Sequence, residues 1–227
     1  MIYFEKVSKI YNSDKVPALE DITLSIKPKE FVSIVGHSGA GKTTLLKMLI
    51  AEEKPTTGSI FFESANIHEL PRAQMYKYRR KIGMIFQDFR LIPHKTAYEN
   101  ISFAMEAAGK PDEDIASDVP HILELVDLSE KANHFPRQLS GGEQQRVAIG
   151  RAIINQPDVI VADEPTGNLD PMNAYEIVQI LQKINEFDTT VLVATHNKGV
   201  VDLVGRRVIT MERGKIIRDD ESGGYVL

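Results

Sequence analysis

The sequence predicts an α/β fold: a parallel sheet covered by helices on both faces, with a β-rich beginning and a helical insertion. Three observations predict it. After residue 156, short apolar runs rich in branched side chains alternate with helix-length segments. Those late runs are continuously apolar, as a parallel strand buried on both faces requires. Between them and the β-rich beginning, roughly residues 89–156, the pattern is helical.

Taken in order, residues 3–7, 22–26, 31–35 and 60–62 read as strands, being rich in branched and aromatic side chains. Lys27-Pro28-Lys29-Glu30 supplies the turn before the third of them. Residues 43–51 carry Leu45, Leu46, Met48, Leu49 and Ile50, which suits a buried helix, and Pro55 and Gly58 then break the chain. Residues 82–86 read as another strand. Residues 97–108 and 115–126 have helical spacing and are separated by Gly109-Lys110-Pro111. A third helix covers 141–155. Strand and helix then alternate: strand 159–162, helix 172–185, strand 190–194, and two late strands, 207–211 and 215–218, around Arg213-Gly214. No internal repeat or low-complexity tract interrupts the chain. The expected organisation is a single domain over 1–227, with a core of 1–88 and 157–227 and a helical lobe of about 89–156.

The bulk numbers narrow the class. With 42% apolar and 26% charged residues, the 227-residue chain reads as globular rather than disordered. Its net charge of -5 argues against non-specific nucleic-acid binding. The absence of cysteine excludes disulfides, thiolate metal sites and cysteine nucleophiles, and is compatible with a reducing compartment. The first fifteen residues hold no apolar core of signal-peptide length, and the longest apolar runs are strand-sized. Any membrane role is therefore expected to come through a partner.

Three motifs carry chemistry. Gly36-His37-Ser38-Gly39-Ala40-Gly41-Lys42-Thr43 fits G-x-x-x-x-G-K-[ST], with an apolar strand before it and a helix after it. Glycines let such a loop wrap a phosphate chain, and inward N–H groups at a helix N-terminus favour the anion. Lys42 is expected to reach the β- and γ-phosphates and Thr43 to ligate Mg²⁺, with Thr44 completing the nucleotide-binding set. Residues 159–164 form an apolar strand ending in Asp163 and Glu164. Strand ends are where ligands sit in such sheets. Asp163 is expected to hold Mg²⁺, and Glu164 to orient or deprotonate an attacking water. Finally, Leu139-Ser140-Gly141-Gly142-Glu143 contains the capping box S-x-x-E. The box explains Ser140 and Glu143. It leaves two glycines in a first helical turn, where each costs about 1 kcal/mol relative to alanine. Their expected use is a close approach of backbone to phosphate.

These motifs, in this order, resemble the ATP-binding cassette (ABC) ATPases, and the resemblance covers essentially the whole chain. It implies a P-loop core with a parallel sheet, an N-terminal antiparallel β subdomain and a helical insertion subdomain. Gln87 matches the family's Q-loop glutamine, which contacts the γ-phosphate and Mg²⁺. Asn168-Leu169-Asp170 matches its D-loop, His196 its switch histidine, and Tyr11 an aromatic that stacks on adenine. Asp170-Pro171 also fits a helix cap followed by proline. The resemblance implies ATP and Mg²⁺ as cofactors and a head-to-tail homodimer. In that dimer each P-loop faces the partner's Ser140, Gly141 and Gly142. Residues 86–93, 96–100 and 194–197 further resemble the family's cell-division branch. Asn197 stands there where lipoprotein-release and macrolide-export cassettes usually carry aspartate. That branch implies an integral membrane partner, a place on the cytoplasmic face of the membrane, and an indirect link to peptidoglycan hydrolases. The alternative is an ATPase subunit of the export type.

Overall fold

The computed structural model describes residues 1–11 and 16–223. The chain opens with β1 (Ile2–Lys9), β2 (Leu19–Ile26), β3 (Phe31–Val35), α1 (Lys42–Leu49), β4 (Thr57–Phe62), β5 (Ala65–Asn66), α2 (Arg72–Arg80) and β6 (Ile82–Ile85). Three helices follow, α3 (Ala97–Ala108), α4 (Asp112–Leu125) and α5 (Gly141–Ile153). Then come β7 (Val159–Asp163), α6 (Pro171–Glu186), β8 (Thr190–Thr195), α7 (Lys198–Val204), β9 (Arg207–Glu212) and β10 (Lys215–Asp220).

The strands form two sheets. An antiparallel four-stranded sheet has the order β2-β1-β4-β5. A six-stranded sheet has the order β10-β9-β3-β8-β7-β6 and is parallel except for β10. The continuously apolar strands are explained by two cores, one on each face. Ile160 and Ala162 of β7 and Val191 and Val193 of β8 join the core built with α3, α4, α5 and α6. Val159, Val161, Leu192 and Ala194 point the other way, into the core shared with α1 and the antiparallel sheet. Alternation along a strand puts neighbours on opposite faces, and here both faces are dry.

Two helices escape the sequence pattern for physical reasons. α2 buries a single side chain, Tyr78, whose hydroxyl donates to the Leu49 carbonyl; the rest of α2 is largely basic and polar, so no apolar stripe marks it. α7 is seven residues long and contains Gly199. It is set instead by its ends: Asn197 accepts from the Gly199 N–H at 2.9 Å, and Gly205 closes it in the left-handed conformation.

One stretch matters for the site. Thr96 caps α3 with a full capping box to Glu99. The fully buried Asn100 accepts from the Ile92 N–H at 2.7 Å and donates to the carbonyls of Ile92, Lys95 and Thr96. Residues 92–96 are thus pinned by one side chain. The motif that pointed to a particular branch of the family is also the device that shapes this loop.

Candidate nucleotide site

The sheet order decides what meets what. β3, β8, β7 and β6 are parallel neighbours, so their carboxyl ends lie along one edge. That edge receives, respectively, the glycine-rich loop, His196, the Asp163-Glu164 pair and Gln87. A cleft of about 550 Å³ opens there, lined by Ala18, His37, Ser38, Gly39, Ala40, Gly41, Lys42, Thr43, Thr44, Gln87, Glu164 and His196. Residues from five separate stretches of chain, at 18, 37–44, 87, 164 and 196, converge there. Tyr11 is not among the cleft's lining residues; its ring instead lies 4.9 Å from the Lys9 ammonium, itself paired with Glu53 at 2.7 Å. Ala18, which no motif marks, is the residue that does line the cleft on that side.

The loop itself is built for close backbone approach. Gly41 has φ 104°, and a Cβ there would meet the Ala18 carbonyl and the Leu19 side chain at 2.7 Å. Lys42 opens α1, and its ammonium, almost fully buried, curls back over the loop. It donates to the Gly36 carbonyl at 2.7 Å and the His37 carbonyl at 3.3 Å. The same ammonium stands 3.7 Å from the Glu164 carboxylate.

Asp163 and Glu164 part company although adjacent. Asp163 accepts from the Thr43 hydroxyl at 3.1 Å. Burial, the largest influence, pushes its carboxyl above the usual range, with the Glu164 charge adding to the rise and the Thr43 hydrogen bond opposing it. Glu164 has a left-handed backbone, φ 47°, rare for such a residue and costing about 1–3 kcal/mol. That turn carries its carboxylate toward His196, whose Nδ1 lies 2.8 Å away and whose backbone N–H donates at 3.3 Å. Gln87 is cross-tied to the far side: its amide donates to Asn168 Oδ1 at 3.3 Å and its carbonyl accepts from Asn168 Nδ2 at 3.1 Å. Asn168 is a contact the sequence motif contained but did not explain.

Ser140 and Asp170 sit on helix starts. Ser140 caps α5, exchanging hydrogen bonds with Glu143 as the capping box implied. Asp170 caps α6, accepting from Met172 and Asn173, and these bonds hold its carboxyl below the usual range. Both residues are exposed. The two glycines between them and the helix body differ. A Cβ on Gly142 would overlap the Asn173 carboxamide of α6, so its missing side chain is explained inside this chain. A Cβ on Gly141 would meet only ordinary contacts, Leu169 at 3.4 Å and Phe89 at 3.9 Å. Nothing in its own chain demands glycine at 141. Gly142→Ala is therefore expected to destabilise the fold by about 1–3 kcal/mol, the usual cost of overpacking, despite alanine's better helix propensity. Adding Asn173→Ala should restore most of the loss. Denaturant midpoints of the single and double variants check this, and a neutral Gly142→Ala would remove the packing account.

A glycine-rich loop after a buried parallel strand, a lysine at the loop's end and a strand-end carboxylate pair define a P-loop nucleoside triphosphatase. The chain belongs, more narrowly, to the ABC transporter family, which residues 19–167 match. It is 48% identical over 225 residues to the cell division ATP-binding protein FtsE of Bacillus subtilis, covering 99% of this chain and 98% of that protein. It is 43% identical over 222 residues to the methionine import ATP-binding protein MetN 1 of Bacillus thuringiensis, covering 96% of this chain and 66% of that protein. Among solved structures it is similar to the dimeric, post-hydrolysis ATP-binding cassette MJ0796 bound to ADP and Pi. There the TM-score is 0.88 and the identity 38%, over 99% of this chain and all of that one. The chain is an ATP-binding, ATP-hydrolysing cassette.

Proposed function

We propose that this ATPase is the motor subunit of a cell-division complex of the FtsE–FtsX kind. ATP-driven closure of a homodimer would act through an integral membrane partner resembling FtsX, and through it on peptidoglycan hydrolases. The similarity to FtsE over nearly the full length of both chains is the observation that carries this reading. No described helix is long and apolar enough to cross a membrane, so the proposed place at the cytoplasmic face depends on that partner. Co-purification from native cells tests it: an FtsX-like membrane protein retained by the tagged chain supports the reading. A solute permease retained in its place supports the second reading, a transport cassette, which the similarity to MetN 1 favours.

In the proposed mechanism the glycine-rich loop from Gly36 to Thr43, with Thr44, cradles the phosphates. Lys42 donates to two loop carbonyls, and Glu164 pairs with His196 and Lys42. Phosphate arriving in the cleft takes Lys42 off those carbonyls and gives His196 a γ-phosphate oxygen to contact. Glu164 is then left to accept a proton from the attacking water. Thr43, Asp163 and Gln87 would hold Mg²⁺, which supplies positive charge to the β- and γ-oxygens. The donor set fits: a hydroxyl and a half-buried carboxylate already 3.1 Å apart, with few protein ligands, suits an ion that also takes water and phosphate oxygens.

The proposed dimer places Ser140, Gly141, Gly142 and Asp170 of one chain against the other chain's ATP. Two features support it: Ser140 and Asp170 are exposed helix starts, and Gly141 has no need of glycine within its own chain. Moving a two-state equilibrium from mostly open to mostly closed takes about 5.5 kcal/mol of differential binding. Charge-assisted hydrogen bonds at two sites, about 1.5–3 kcal/mol each, are of that size. Ser140→Arg is therefore expected to leave ATP binding by the single chain intact and to abolish ATP-dependent dimerisation. Nucleotide titration and sedimentation read the two separately, and loss of single-chain binding would argue against a split site.

A further inference from the structure

The five residues after β6 form a tight knot beside the cleft. Phe89 and Arg90 are consecutive left-handed residues, φ 59° and 47°, and neither is glycine. Arg90 stacks its guanidinium 3.7 Å from the Phe86 ring centroid, and its N–H donates to the Asp88 carbonyl at 2.6 Å. Such a conformation persists only when its surroundings impose it. Here α5 imposes it. Arg151, in the last turn of α5, donates to the Phe89 carbonyl at 2.9 Å through Nη2 and to the Arg90 carbonyl at 2.7 Å through Nη1. At the other end of the same helix, the Phe89 ring lies next to Gly141.

A single residue two positions from Gln87 thus touches both the start of α5 and, through its carbonyl, the last turn. The start of α5 is the Ser140–Gly142 edge. We infer that Arg151 is a positioning residue that couples Gln87 in one nucleotide site to the Ser140–Gly142 edge the same chain presents to the other site. This inference rests on the split-site reading above. A guanidinium is required because its fixed fork reaches two carbonyls at once; a lysine ammonium offers no such fork. α5 is further tied to the loop after β7, just beyond Glu164, by the buried Gln145, which donates to the Pro165 carbonyl at 2.8 Å. The helix therefore moves with both loops rather than with one.

The test uses the purified full chain and four variants: Arg151→Met, Arg151→Lys, Phe89→Ala, and Phe89→Ala with Arg151→Met. ATPase rate is followed against ATP concentration, and ADP affinity is measured alongside. Arg151→Met is expected to lower kcat roughly 3- to 30-fold, the range of a coupling mutation, and to bring the Hill coefficient to that of independent sites. ADP affinity should stay within about twofold of the parent, since Arg151 touches no cleft residue. Arg151→Lys should recover part of the rate, and the double variant should lose no more than the worse single one. Wild-type kcat and cooperativity in Arg151→Met overturn the proposal while leaving the split site standing. If Arg151→Met does not fold, Phe89→Ala, which keeps every Arg151 bond, must still lose cooperativity; retained cooperativity there overturns the proposal. Parallel loss of ADP affinity and melting temperature in both variants makes Arg151 a structural staple and also overturns it. A parent chain that is non-cooperative, and whose Glu164→Gln form stays monomeric in ATP, removes the split-site reading itself.

Discussion

Glu164→Gln is expected to lower ATP turnover by about 10²- to 10⁴-fold, the usual contribution of a general base, while nucleotide affinity is kept or improved. The side chain is nearly isosteric, and its carbonyl oxygen still accepts from the His196 backbone N–H. The amide cannot take a proton from water. Glutamine also removes one negative charge from beside the half-buried Asp163, whose own carboxyl is pushed up by partial burial and by that charge. The left-handed backbone at 164 is retained, so the side chain still points into the cleft. Single-turnover kinetics with bound ATP separates chemistry from binding. Hydrolysis at the parent rate would show that Glu164 is not the catalytic carboxylate, and would move attention to Asp163 or His196.

The second large effect is on binding. Lys42→Ala is expected to weaken ATP by about 10²- to 10⁴-fold, the loss of two charge-assisted hydrogen bonds at about 1.5–3 kcal/mol each. The variant also loses the buried bond to the Gly36 carbonyl, which costs about 1–3 kcal/mol of stability, so the affinity is read on protein shown to be folded. Loss of the lysine also leaves Glu164, among the described residues, with His196 as its side-chain partner. Titration with a fluorescent ATP analogue reads the effect. An unchanged affinity would remove the phosphate-binding assignment of the loop.

What could be read from the sequence, and what could not, follows from the reach of each interaction. The glycine-rich loop and the Asp163-Glu164 pair were legible because phosphate chemistry needs given residue types at given offsets from a strand, and those offsets are local. The parallel sheet was legible because burial on both faces leaves continuous apolar runs such as β7, whereas the antiparallel arrangement of the β-rich beginning came only from the family resemblance. α2 was not, since one buried tyrosine leaves no stripe. Contacts that span the chain were invisible: Gln87 meets Asn168 81 positions away, and Arg151 meets Phe89 62 positions away. Gly142 had a reading in phosphate approach, yet its tight neighbour is Asn173 on α6. Gly141, by contrast, meets only ordinary contacts with Leu169 and Phe89, so its own chain does not account for the missing side chain.

The central claim is that the ATP site is shared by two copies of the chain. The sequence offers a clean way to test it, because it contains no cysteine. Ser38→Cys in the glycine-rich loop and Ser140→Cys at the start of α5 place two thiols on exposed positions. In the Glu164→Gln background, a short bifunctional thiol reagent is applied with ATP or with ADP. A shared site predicts covalent dimers with ATP, few with ADP, and none from a mixture lacking either cysteine. A covalent dimer yield that ignores the nucleotide, or its absence with ATP, would contradict it.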